Sequence, residues 1–181
     1  SLCFAIVPSS AKTSLDFGSS LFILIFSRCL IGLVLLLPIL FFQKETVFIK
    51  KIFFLPVLFS SFVSVSLIAA VYHAIEYINI ALGMTIVYAF PIGIALITSF
   101  RGEEKYSLQE WLSILMVILG LFILVYDEIF TGSLYGIVVC IISFILMTTF
   151  VYTSSKLADS LGSIALNFHL NLWSLISVSY T

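Results

Sequence analysis

The sequence predicts an all-α, polytopic bundle of transmembrane helices, and three observations carry that prediction. Hydrophobic residues make up 62% of the 181, and charged residues only 9%. A soluble domain has about a quarter of its residues charged, so this chain could not cover a water-facing surface. The apolar residues come in runs of about 20, the length that crosses about 30 Å of hydrocarbon. The few charges fall between those runs, as loop residues do.

Residues 1–14 are too short for a full crossing and read as the C-terminal part of a span. Full spans are predicted at 19–42, 52–76, 79–100, 108–126 and 134–155, and a seventh starts near Ser163. The chain starts at Ser1 without a basic leader and ends at Thr181 inside an apolar stretch. Both ends read as cut, so the sequence is expected to be a fragment of a longer protein.

Lys and Arg set the orientation. Lys44, Lys50 and Lys51 lie in one loop, Arg101 and Lys105 in another, and Lys156 in a third. Alternating spans put these loops on one side, and together they hold six of the eight basic residues. The opposite side has Asp127 and Glu128 and no base between spans. The basic side is cytoplasmic by this rule, which makes the protein a multi-pass inner-membrane protein. A short internal repeat fits that topology. Val7-Pro8-Ser9-Ser10-Ala11-Lys12 aligns with Val151-Tyr152-Thr153-Ser154-Ser155-Lys156 at an offset of five spans. An odd offset inverts the second copy in the membrane, and inverted repeats mark secondary transporters.

Several words recur in a fixed order. Tyr72-His73-Ala74-Ile75-Glu76-Tyr77 is followed by Pro91, then by Gly102-Glu103. Ser107-Leu108-Gln109-Glu110-Trp111 opens the next span, and Gly120 lies inside it. In their order and spacing these resemble the drug/metabolite transporter superfamily, EamA-type. Lys12 and Arg28 sit where that family often carries a Lys ending the first helix and an Arg early in the second. Gly132 to Lys156 resembles the opening helix of its second half. The resemblance implies a ten-helix fold of two inverted five-helix repeats with a central cavity between them and the fifth helix of each at the periphery. Residues 1–126 would form the first EamA-like repeat, its first helix truncated, and 132–181 the start of the second. The implied activity is transport, usually export, of small metabolites or toxic compounds. Two departures leave the substrate open: the first helix lacks the family's Trp-Gly pair, and Glu76 stands where members often have a base.

The residues that could carry chemistry each have two readings. Arg28 lies early in the second span. It either binds an anionic group in the cavity or snorkels to the interface. His73 and Glu76, at i,i+3, share a helix face. They could form a titratable pair in a proton-coupled pathway, or an interfacial ion pair, which their place near the span end favours. Thr85, Tyr88, Pro91, Ala95 and Thr98 recur every three or four residues. That polar, small face predicts a pathway-lining stripe with a kink at Pro91, although small residues also serve close helix packing. Asn167 and Asn171, at i,i+4 and flanking His169, suggest either cavity or interhelical hydrogen bonds. Tyr72 and Lys12 join the pathway candidates through the resemblance.

Cys3, Cys29 and Cys140 lie in apolar runs without metal-like spacing and read as buried small hydrophobes. No metal or cofactor is expected. A net charge of −1 gives no basic stripe for nucleic acid. The expected partners are the lipid bilayer and a small-molecule substrate, with a homodimer left open. Two rivals to transport are an intramembrane lipid-modifying enzyme, using His73 and Glu76 as acid and base, and a membrane assembly subunit with no pathway of its own. The absence of HExxH, G-x-S-x-G and phosphate-loop motifs argues against the enzyme.

The charge-derived topology is testable in whole cells. Single cysteines replacing Lys50 and Asp127 should react oppositely with a membrane-impermeant thiol reagent. Labelling is expected at 127 and not at 50; the reverse pattern would invert the topology.

Overall fold

The computed structural model describes residues 13–14, 17–18, 20–43, 51–131 and 133–179. Among the described residues seven helices follow one another: α1 (Leu21–Gln43), α2 (Lys51–Ala74), α3 (Ile80–Tyr88), α4 (Phe90–Phe100), α5 (Leu108–Thr131), α6 (Leu134–Leu161) and α7 (Ser163–Ser179). No strand occurs among the described residues. The protein is thus an all-helical, polytopic membrane bundle. Phe22–Ile39, Lys51–Ala74, Ile80–Phe100 and Leu134–Leu161 are long and apolar enough to cross a membrane. The described apolar part of α5 is Leu108–Ile123.

The main departure from the expected spans lies between residues 79 and 100. The kink anticipated at Pro91 is a break centred two residues earlier, at Ala89, whose ψ of 2° leaves the helical range. Pro91 is the second residue of α4. There its missing N–H costs nothing, because the first helical N–H groups have no partner in any case. Proline also disfavours the helical conformation in the residue before it and crowds the carbonyl four residues back. The break is closed by the Ala89 N–H donating to Ile86 O (3.2 Å) and the Ile92 N–H donating to Ala89 O (2.9 Å).

The words Gly102-Glu103 and Ser107…Trp111 prove to be a helix stop and a helix start. The Gly102 N–H donates to Ser99 O and the Glu103 N–H to Thr98 O, at 3.0 and 2.9 Å. This pair of bonds is a Schellman motif, and it needs a left-handed residue, here Gly102 at φ +66°. Four residues on, the Ser107 N–H donates to Glu110 Oε2 at 2.6 Å, while the Glu110 N–H donates to Ser107 Oγ at 3.4 Å. That is a capping box. Tyr106 and Trp111 pack edge to face with centroids 6.1 Å apart, the positions of a hydrophobic staple.

The chain divides into two compact units. Of the described residues, the first holds those within Ala70–Thr148, and the second those within Thr13–Ala69 and Thr149–Thr181. In the first, Ala74, Ile78, Leu82 and Ile86 recur every four residues and bury against Ile137 and Cys140 of α6. Leu121 of α5 packs on that cluster, while Leu112, Leu115, Met116, Leu119, Phe122 and Ile123 stay exposed. An apolar helix so exposed suits contact with lipid. In the second unit, Val57, Leu157, Leu166 and Leu170 form the core, with Phe53, Phe150 and Trp173 against it. Phe54 meets Trp173 edge to face at 5.2 Å, and α1 packs along α7.

Lipid tails are as apolar as leucine, so burial alone does not hold such helices together; close van der Waals approach does. Gly93 shows this within the first unit. A Cβ there would meet Thr148 Oγ1 and would lie 2.7 Å from Thr148 Cγ2. Thr148 is itself buried, and its hydroxyl donates to Phe144 O at 2.9 Å. By contrast, a Cβ at Gly120 meets nothing within 4 Å.

The two glycines should therefore respond in opposite directions to alanine. Gly120→Ala is expected to stabilise the helix by about 0.5–1 kcal/mol. Gly93→Ala is expected to cost about 1–3 kcal/mol through overpacking. Thermal unfolding in detergent micelles checks both, and equal shifts would contradict the helix contact at Gly93.

Candidate functional site

The polar residues anticipated along the fourth span divide at the helix break. Thr85, Tyr88 and Pro91 are exposed, Tyr88 by 43%. Ala95 and Thr98 are buried. Thr98 is also occupied: its hydroxyl donates to Ile94 O at 2.9 Å and lies 2.8 Å from the Tyr106 hydroxyl, which donates to Glu104 Oε2 at 2.7 Å. The lower half of the stripe thus anchors the Schellman loop to α4. The upper half leaves a hydroxyl, a phenol and a proline ring open beside the break. Thr85 Oγ1 donates to Ala81 O at 2.7 Å, so its remaining capacity is as an acceptor.

The His73–Glu76 pair forms as the i,i+3 spacing predicted, with Nδ1 and Oε2 3.3 Å apart and both side chains nearly half exposed. It sits where α2 unwinds. After Ala74 the chain turns through Tyr77, whose N–H donates to Ala74 O at 3.0 Å. Asn79 then caps α3, its Oδ1 accepting from the Ala81 N–H at 2.9 Å. Sequence reasoning missed the third partner. The Tyr135 hydroxyl, on the first turn of α6, is 3.2 Å from His73 Nε2. The rings of His73, Tyr77 and Tyr135 pack edge to face in pairs, with centroids 5.1 to 5.9 Å apart. The available signal was an aromatic residue at a span end, the usual depth for tyrosine. Tyr72, also a candidate, is buried at 7% exposure.

In the second unit, Arg28 lies on α1 and is exposed, next to the buried Cys29. No acid forms an ion pair with it among the described residues. Side chains on a helix tilt toward its N-terminus, and Arg28 is only two turns from the start of α1. Its reach is therefore toward the nearer membrane surface. Asn167 and Asn171 do lie on one face of α7. Both amides donate to their own helix, Asn167 Nδ2 to Ser163 O and Asn171 Nδ2 to Asn167 O, each at 2.9 Å. Asn171 also faces Gly32 of α1, where an added Cβ would come within 3.0 Å of its Oδ1. Lys12, the remaining candidate, lies outside the described residues.

One further group was not singled out from sequence. Ser60 of α2 is fully buried, and its hydroxyl has no hydrogen-bond partner among the described residues. Its neighbour Ser61 is buried too but donates to Val57 O at 3.0 Å. A buried hydroxyl without a partner calls for an explanation. The serines at 60, 61 and 64, spaced along an apolar span, were the signal.

Residues 1–126 match the family model described as the EamA-like transporter family. No curated protein and no solved structure matches the chain.

The contact between α1 and α7 should show up as energetic coupling. Gly32→Val is expected to cost about 1–3 kcal/mol by forcing a branched side chain against Asn171. Asn171→Ala in the same protein should recover part of that, with a coupling energy of about 0.5–3 kcal/mol. Strict additivity in thermal unfolding would place the two residues apart.

Proposed function

We propose that this chain, which belongs to the EamA-like transporter family, exports small metabolites or drug-like compounds across the inner membrane by alternating access. The chain is a multi-pass membrane protein of a family that transports small molecules.

The observation that carries it is the interrupted span. Within hydrocarbon, non-helical backbone is tolerated only where it is buried in protein or lines a water-filled cavity. Interrupted helices recur in transporters at substrate sites near the bilayer midplane. The Ala89 break lies between helical halves of 9 and 11 residues, which places it near the middle of the span. Thr85, Tyr88 and Pro91 are the exposed groups beside it. Tyr88 offers a ring face and a phenol, suited to cargo that is part apolar and part polar. Pro91 keeps the break in place. Arg28, Tyr72, Asn167, Asn171, Lys12 and the His73–Glu76 pair remain candidates for contact with cargo, with Tyr88 the first to test.

Flux into everted membrane vesicles is the test, with a panel of labelled amino acids, nucleosides and lipophilic cations. Vesicles carrying the protein should accumulate at least one probe above vesicles that lack it. Tyr88→Ala should lower that flux about tenfold or more at unchanged membrane abundance, which corresponds to about 1.4 kcal/mol. Leu119→Val, on the exposed apolar side of α5, should leave it unchanged. Equal flux in Tyr88→Ala and the parent would remove the broken span from the pathway.

A further inference from the structure

Three side chains meet where α2 ends and α6 begins: His73 on the last turn of α2, Glu76 in the turn that follows, and Tyr135 on the first turn of α6. We propose that His73, Glu76 and Tyr135 form a proton-operated latch that fastens the end of α2 to the start of α6, with Tyr135 as its positioning residue. As a gate for cargo it rests on the transport reading; as a joint between helices it stands alone.

The chemistry follows from the two ring nitrogens. Nδ1 of His73 faces Glu76 Oε2 at 3.3 Å, and Nε2 faces the Tyr135 hydroxyl at 3.2 Å. A carboxylate only accepts, so Nδ1 carries the proton toward Glu76 in either state. In the neutral ring, Nε2 is then an acceptor and takes the Tyr135 O–H. When the ring gains a proton, Nε2 becomes a donor and the bond to Tyr135 reverses. The hydroxyl proton turns outward, and the link to Glu76 becomes charge-assisted. Both states are bonded, but in the protonated one the bond that crosses to Tyr135 has a charged donor and is the tighter, and Glu76 favours that charged state. The latch therefore fastens when the ring gains a proton and loosens when the ring loses it.

The surroundings fit a joint that can open. Among the described residues, the titratable groups against His73 are Glu76 and Tyr77 from its own segment and Tyr135 from α6. Both members of the ion pair are about half exposed, at 42% and 47%, so protons reach them. Below them the contact is tight. A Cβ at Gly136 would lie 2.5 Å from Ile78 Cγ2 and 3.0 Å from Tyr77 Cβ. One turn further along α6, Cys140 is 1% exposed in the cluster with Ala74 and Ile78. The basic-loop topology puts this end of the bundle outside the cell, where pH varies most.

Cys140 supplies the readout. In the Cys3→Ser/Cys29→Ser protein, its rate of reaction with methyl methanethiosulfonate reports how often the joint opens. Each variant is compared with its parent at the same pH, which cancels the intrinsic pH dependence of the thiol. Glu76→Gln should speed labelling about two- to fivefold at pH 6, the range expected for a partly exposed ion pair. The gap should close at pH 8.5, which also shows that the variant is folded. Tyr135→Phe should speed labelling at both pH values, since its hydroxyl is bonded in both states. Asp127→Asn and Glu128→Gln, acids near the end of α5, should leave the pH response intact. A Glu76→Gln effect of the same size at both pH values would overturn the latch. So would a silent Tyr135→Phe, or a pH response that disappears with either of these acids.

Discussion

Inside hydrocarbon a backbone amide has no water to turn to, and every other feature of this chain follows from that. Each N–H and C=O must find a partner within the protein, so the described chain is helix joined by short, bonded turns. The constraint also explains how the few exceptions are built. At Ala89 the break is bridged by bonds from the Ala89 and Ile92 N–H groups, and Pro91, two residues on, has no N–H to satisfy. At Gly102 and Ser107 the loose ends of two helices are closed by a left-handed glycine and a serine–glutamate exchange. The same need absorbs polar side chains. Thr85, Thr98, Ser143, Thr148, Asn167 and Asn171 all donate to carbonyls of their own helices. A polar residue in a span is thus a weak sign of a pathway, because its own backbone can satisfy it.

What the sequence could show depended on how local the cause was. The α2 span, read as 52–76, is a helix over Lys51–Ala74, because length and apolarity alone decide it. The His73–Glu76 contact followed from helical spacing. The kink expected in the fourth span at Pro91 is a break at Ala89, and along the stripe Ala95 and Thr98 are buried while Thr85, Tyr88 and Pro91 are exposed; which side of a helix is covered depends on neighbours far along the chain. Tyr135 was invisible for another reason. Its partner His73 is 62 residues away, and no local pattern encodes a contact between the end of one span and the start of another. Ser60 was hidden similarly: a serine in a span is ordinary, and only burial without a partner makes it conspicuous.

The family words gain a physical meaning. Gly102-Glu103 and Ser107…Trp111 could have been read as site residues, since they stand out from an apolar background. Their roles are to stop one helix and start the next within a few residues. Less conspicuous in the sequence are the exposed Thr85 and Tyr88 beside the break, and the unpartnered Ser60 hydroxyl in α2. They lie on α2 and α3, away from the capped loop between α4 and α5.

The Ala89 break also has a mechanical consequence. It divides one crossing into two lever arms of 9 and 11 residues, about 14 and 16 Å long at 1.5 Å per residue. A tilt of about 10° at the fulcrum moves the far end of the longer arm by about 3 Å, roughly the width of a water molecule, while the rise along each arm is unchanged. An unbroken helix would have to spread that bend over many hydrogen bonds, stretching each. Here the bend falls at Ala89, where the helical ladder is already interrupted. The span can therefore work as a crank: a small rotation at its centre becomes a displacement at the membrane surface.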